Sequence, residues 1–265
     1  MEIVKNINIY NDDFKNITKD FKDNSFDLIF TDPPYLTNMK RVHQSRHLKL
    51  RYNDSYRSKD ARDTINLFFS ESKRLLKSDG LLLIFMNYKR LLYYMYEAKM
   101  CDLWYYYFIT WQKNNIKMNQ YKTNPNHRCE YILAFKKERL TNPVYNKDME
   151  LYDIVNIDNV NGIDKNHPNE KPQELLLYFL KLYNFKKQKE YKVLDPFMGG
   201  GSLGRACFDF NQYLCNNIKY YGVEKEKIFF DNATELIKNN YRIKSIKQDI
   251  KTKTKTLMDY LLEEK

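Results

Sequence analysis

Residues 80–86 read GLLLIFM, six consecutive apolar side chains behind a glycine. A strand with one wet face alternates apolar and polar residues. This one offers water nothing on either side, so it has to lie between two covering layers. A chain supplies such layers most simply as helices on the crossovers of a parallel sheet. The stretch before it agrees: Ile65, Phe68, Phe69, Leu75 and Leu76 make one apolar helical face over 63–77, and KSDG at 77–80 reads as its stop.

The same alternation runs along the chain. Strands are expected at 5–10, 27–31, 81–86, 105–111, 130–136, 191–195 and 219–223, and helices at 63–77, 87–100, 173–184, 202–210 and 225–240. The fold class is α/β, a mainly parallel twisted sheet with helices on both faces. At 265 residues and 43% hydrophobic composition, the chain is expected to form one domain over 1–265. Two insertions interrupt the pattern. Residues 36–62 carry Lys40, Arg41, Arg46, Lys49, Arg51, Arg57, Lys59 and Arg62 against Asp54 and Asp60, and read as a basic loop. Residues 137–168 are polar and rich in Asn and Asp. The end, from about 244, reads as a charged surface helix or a frayed tail.

The formal charge is +11, 45 basic residues against 34 acidic. It fits an anionic partner, nucleic acid first, and equally the Lys- and Asn-rich composition of an AT-rich genome. No signal-peptide pattern and no apolar run of membrane-spanning length is visible, so a cytoplasmic location is expected. Cys101, Cys129, Cys207 and Cys215 show neither CxxC spacing nor a paired framework, and the four histidines form no ligand pattern. Free thiols and no metal site are expected.

Two stretches carry chemistry. In KVLDPFMGGGSLGRACF (192–208) a strand runs into Asp195, Pro196, Phe197 and three glycines before a helix. Glycines there let the backbone approach a ligand at the carboxyl end of a strand. The spacing F-x-G-x-G is not the pyrophosphate fingerprint, and about twenty residues on a second strand ends in Glu224, an acid suited to ribose hydroxyls. A nucleoside without a required pyrophosphate fits, and S-adenosylmethionine is one.

The other stretch is DLIFTDPPYLTNM (27–39). Pro33 and Pro34 hold Asp32 and the segment extended and rigid at a strand's carboxyl end. Asp32 and the Pro33 carbonyl can accept the two N–H bonds of an exocyclic amine and favour its nitrogen as it turns tetrahedral and positive. Tyr35 offers a ring on which an extruded base stacks. The aromatic run at 103–111 follows strand periodicity and reads as core, with Trp111, at the strand end, the position best suited to stacking a base. Cys129 and Cys207 read as packing residues, since amine methylation needs no thiol.

Taken together these stretches resemble the beta-class amino-methyltransferases of DNA, which include adenine enzymes of restriction–modification systems. TDPPY looks like their catalytic motif, DPFMGGGS like their cofactor motif, and HPNEKP (167–172) like an element preceding a helix beside the cofactor. ITWQKNN (109–115) and HRCEYILAFKK (127–137) resemble two further stretches. The catalytic motif precedes the glycine motif, the family's permuted order, and the likeness spans 5–240. It implies a Rossmann-like class I S-adenosylmethionine-dependent fold. It implies catalysis by Asp32, Pro33, Pro34 and Tyr35. Cofactor binding would fall to Asp12 (adenine amine), Lys171 (near the carboxylate), Asp195, Phe197, Gly199, Gly201, Ser202 and Glu224 (ribose). Lys40, Arg41, Arg46, Lys49 and Arg51 would contact DNA phosphates, and 137–168 would be a short target-recognition insertion. Asn169, Glu170 and Gly200 stand where the family usually has Thr, Gln and Ser.

The expected activity is site-specific methylation of the N6 amine of adenine in DNA. The family's first motif residue is often Ser in cytosine-N4 enzymes and Asp in adenine ones, and here it is Asp32. Methylation of cytosine N4 or of an RNA amine, and a catalytically silent nucleic-acid-binding module, are the alternatives. The partners expected are DNA and a cognate restriction endonuclease, for a monomer or homodimer.

Overall fold

The computed structural model describes residues 2–34, 38–44, 49–55, 59–115, 127–143, 145–161, 165, 167, 169–183, 190–214 and 217–239. Among the described residues, nine strands form one sheet: β1 (Glu2–Val4), β2 (Ile7–Tyr10), β3 (Phe26–Thr31), β6 (Leu76–Met86), β7 (Trp104–Gln112), β8 (Cys129–Lys136), β9 (Ile154–Asn156), β10 (Glu190–Asp195) and β11 (Asn217–Val223). Their order is β1-β2-β11-β10-β3-β6-β8-β7-β9. Pairing is parallel from β2 through β11, β10 and β3 to β6, and antiparallel at β6–β8 and β8–β7.

The GLLLIFM strand behaves as its composition requires. Leu81, Leu83 and Phe85 join one core, while Leu82, Ile84 and Met86 join the other. The first core is closed by α4 (Gln173–Leu182), α5 (Ser202–Leu214) and α6 (Lys227–Lys238), through residues such as Leu176, Phe179, Ala206 and Ile237. The second is closed by α1 (Phe14–Ile17), α2 (Lys59–Leu75) and α3 (Leu91–Met100), through Phe14, Phe68, Phe69 and Tyr94. Helices thus cover both faces, as expected from two-sided hydrophobicity. Among the described residues, no helix is long and apolar enough to cross a membrane.

Three local expectations change. KSDG does not stop a helix. The strand already starts at Leu76, and between the pairs Phe26↔Leu76 and Leu28↔Leu81 the register jumps, so KSDG is an irregularity inside β6. The basic segment is not structureless: β4 (Asn38–Gln44) and β5 (Lys49–Ser55) form a separate antiparallel pair from Asn38↔Ser55 to Gln44↔Lys49. Its backbone groups satisfy one another locally, which composition does not report. Within the polar segment 137–168, Ile154–Asn156 adds a parallel edge strand to β7. The charged end beyond residue 239 lies outside the described residues.

Candidate active site

The two motifs end on neighbouring strands. β3 and β10 pair in parallel, so Thr31 and Asp195 finish at the same sheet edge. Carboxyl ends of strands are where open α/β sheets bind ligands. The Asp195 carboxylate is buried there and accepts from the Thr31 hydroxyl at 2.6 Å, the Phe197 N–H at 3.3 Å and the Tyr220 hydroxyl at 3.3 Å. Burial wins over these bonds and pushes Asp195 up to about 7. A cleft opens at this edge, lined by Asp32, Lys171, Asp195, Phe197, Gly199 and Ser202 together with His167, Asn169 and Glu170.

The glycine turn owes its composition partly to a neighbour. Gly199 and Gly201 have φ of +52° and +72°, where side chains are strained. Gly200 faces His167, whose Cβ would lie 2.8 Å from an added Cβ. The His167 ring also meets Phe229 edge-on at 4.3 Å. The close approach that the sequence assigns to a ligand is therefore made, at Gly200, to the HPNEKP segment. The Gly199 N–H donates to Glu224 Oε2 at 3.0 Å, and the Glu226 N–H to Oε1 at 2.8 Å. Burial pushes Glu224 to about 7 in spite of both.

Beside this turn lies a row of charges. Lys171 Nζ is 2.7 Å from Asp32 Oδ2 and 3.1 Å from Glu130 Oε2, and Lys113 Nζ donates to Glu130 Oε1. Burial alone would raise Glu130, but Lys171 and Lys113 outweigh it and hold the carboxyl down at about 2. Burial likewise opposes the charge on Lys171, yet Asp32 and Glu130 hold it above its ordinary value. Lys165 is pushed down by burial and then by Lys171. Glu170 pairs with Arg205 at 2.7 Å, both buried, tying the HPNEKP segment to α5.

The structure brings Asp32, Lys171, Asp195, Phe197, Gly199 and Ser202 to one cleft, with Glu224 one hydrogen bond away. Gly201 packs behind the turn on Ala233, and Pro33 and Pro34 do not line the cleft. The Pro34 carbonyl accepts from the Tyr94 hydroxyl at 3.4 Å. Asp12 follows β2 outside the cleft lining, where its Oδ1 accepts from the Asp13 N–H and from Asn16. Tyr35 and Arg46 lie outside the described residues, while Lys40 and Arg41 stand on β4 and Lys49 and Arg51 on β5. Trp111 is not placed to stack a base. It is fully buried, its indole N–H donating to the Ile157 carbonyl at 2.8 Å, because the sheet continues past it to β9. Glu130 and Lys113 were not singled out from sequence. The signal was a charged residue at the end of each of two otherwise core-forming strands.

The model of the N6/N4 DNA methylase family matches residues 26–235. The chain is 27% identical over 274 residues to the Type II methyltransferase M2.MboI of Moraxella bovis, covering 92% of this chain and 94% of that one. It shares its fold with the M1.HpyAVI–SAM complex, at 24% identity and TM-score 0.63 over 87% of this chain and 99% of that one. The PvuII DNA methyltransferase, cytosine-N4-specific, superposes with TM-score 0.66 at 16% identity over 93% of each chain. The match over most of the length, with both motifs at one sheet edge, makes this chain a member of the N6/N4 DNA methylase family.

Proposed function

We propose that this protein transfers a methyl group from S-adenosylmethionine to the N6 amine of adenine in a base turned out of DNA. The observation that carries the reading is the shared cleft: Asp32 and the glycine turn face one space, Asp32 fixed by Lys171 at 2.7 Å. The residues fit the cofactor by their chemistry. Glu224 offers acceptors for ribose hydroxyls, Asp195 an acceptor for an ammonium, and Lys171 a donor for a carboxylate. When bound, the cofactor supplies an electrophilic methyl group on sulfur.

The protein's own part is positioning and electrostatics. Asp32, paired with Lys171 at 2.7 Å, accepts an N–H of the amine and stabilises the positive charge that develops on nitrogen. The proline pair keeps that acceptor from swinging with the chain. Phe197, packed edge-on to Phe14 at 5.0 Å, gives the cleft an apolar wall. The hairpin β4–β5, which follows the motif directly and carries Lys40, Arg41, Lys49 and Arg51, supplies phosphate contacts. Asp rather than Ser at the head of the motif favours adenine over cytosine. The relatives' Type II designation makes a cognate restriction endonuclease the partner class this reading expects.

The test is product analysis. Unmethylated DNA is incubated with the protein and S-adenosylmethionine, digested to nucleosides and examined by mass spectrometry, with Asp32→Ala alongside. N6-methyladenine made by the wild type and absent from the variant is the expected result. N4-methylcytosine would overturn the choice of base, and no methylated nucleoside despite intact cofactor binding would overturn DNA as substrate.

A further inference from the structure

Two lysines and two carboxylates alternate in sign along one line: Lys113, Glu130, Lys171, Asp32. The lysine side chains are each 8% exposed, and those of Glu130 and Asp32 27% and 15%. Aromatic faces close other sides, with Lys171 Nζ 4.8 Å from the centre of the Phe85 ring and Lys113 Nζ 4.5 Å from that of Trp111. Of the two ion pairs, the inner one, Lys171–Asp32, includes a residue of the DPPY motif, and the outer one, Lys113–Glu130, does not. The outer pair adds no net charge, and desolvating two more ions costs folding energy that their attraction recovers only with good geometry. Lys113 and Glu130 could pair with each other without reaching Lys171, so the Lys171 contact at 3.1 Å calls for its own account.

What the outer pair adds is restraint on Lys171. A lysine ammonium sits on a flexible four-carbon stem and can rotate among partners. Bound to Asp32 alone, it would settle wholly on that carboxylate and neutralise it. Shared with Glu130, it fixes Asp32 through Oδ2 while giving up part of its charge elsewhere. A carboxylate less fully neutralised is a stronger acceptor for an amine N–H and a better stabiliser of positive nitrogen. We propose that Glu130 is a positioning residue for methyl transfer, acting through Lys171 on Asp32, with Lys113 holding Glu130 in place. The inference rests on the methyl-transfer reading above.

Two variants test it, Glu130→Gln and the same change with Lys113→Met. The double variant removes the buried lysine that the single one leaves without its carboxylate. Single-turnover methyl transfer to unmethylated DNA is expected to slow by about a hundredfold in both, the scale of a small misplacement at a reacting centre. Affinity for S-adenosylhomocysteine, measured by calorimetry, should fall far less than the rate in the double variant. Recovery of the rate in the double variant would overturn the proposal, because Glu130 would then serve only to neutralise Lys113. So would a fast Glu130→Gln enzyme, or equal loss of rate and cofactor affinity. A wild-type protein that transfers no methyl group would instead sink the functional reading itself.

Discussion

Thr31 donates its hydroxyl to Oδ1 of Asp195 at 2.6 Å, across the paired strands β3 and β10. One hydrogen bond therefore joins the residue before DPPY to the first residue of DPFMGGGS. Thr31→Val keeps the shape and removes the donor. It should cost about 1–3 kcal/mol, the desolvation left on a buried acceptor, measured by urea unfolding. The bond favours the ionised carboxyl, so the loss should be larger at pH 8 than at pH 5. Equal losses would assign the effect to packing.

Asp195 and Glu224 both sit at about 7 because burial disfavours their charge. The folded protein keeps protons on them that the unfolded chain has released, so stability falls as pH rises from about 4 to about 7 and then flattens. Asp195→Asn should raise the melting temperature at pH 8 and change it little at pH 5. A gain of the same size at both would show that a buried charge is not its source. Glu130 works in the opposite sense: held at about 2, it contributes stability that is lost as pH falls below about 4.5 toward 2.

Gly200→Ala places a Cβ 2.8 Å from the His167 Cβ. His167 is held by Phe229 and by the Asn169 N–H at 3.2 Å on Nδ1, so the HPNEKP segment has to shift. Overpacking of this kind costs about 1–3 kcal/mol. Cofactor affinity should drop by about tenfold or more, on the scale of lost supporting contacts, as read by calorimetry. Unchanged affinity would mean that the segment moves without disturbing the cleft.

Glu170 and Arg205 form an ion pair whose side chains are 0% and 6% exposed. Removing one partner of such a pair typically costs about 3–5 kcal/mol. Glu170→Ala should lose that much in chemical denaturation. A loss under about 1 kcal/mol would place the pair among those that contribute little, with Asp209, whose charge already acts with that of Arg205, taking over.

Much of the fold was legible because two-sided burial leaves a plain trace. Residues 81–86 alternate between two cores, and any strand able to do so needs helices on both faces. The motifs were legible for a similar reason: each sits where a strand ends, and glycine or proline marks the break. The β4–β5 pair was hidden because its strands carry charges in place of an apolar face, and its order rests on backbone pairing. Trp111 does sit near its strand's end, but it was misread as open to a base because nothing in ITWQKNN announces β9, whose residues lie more than forty positions away. The Lys113–Glu130–Lys171 row was invisible for the most general reason. Its members lie just past β7, on β8 and before α4, and only sheet order brings them together.

That sheet order has a consequence for how the chain is made. β3 pairs on one side with β6, which soon follows it, and on the other with β10, so Thr31 waits for a partner 164 positions downstream. At about 5–20 residues per second the ribosome needs roughly 8–30 s to supply it. Through that interval an apolar strand edge stands open, the kind of edge that recruits wrong partners. Nascent chains halted before residue 190 should accordingly be held by chaperones and cut readily by protease, and chains released past 223 should resist. Early resistance would mean that another segment guards the edge until the late strands arrive.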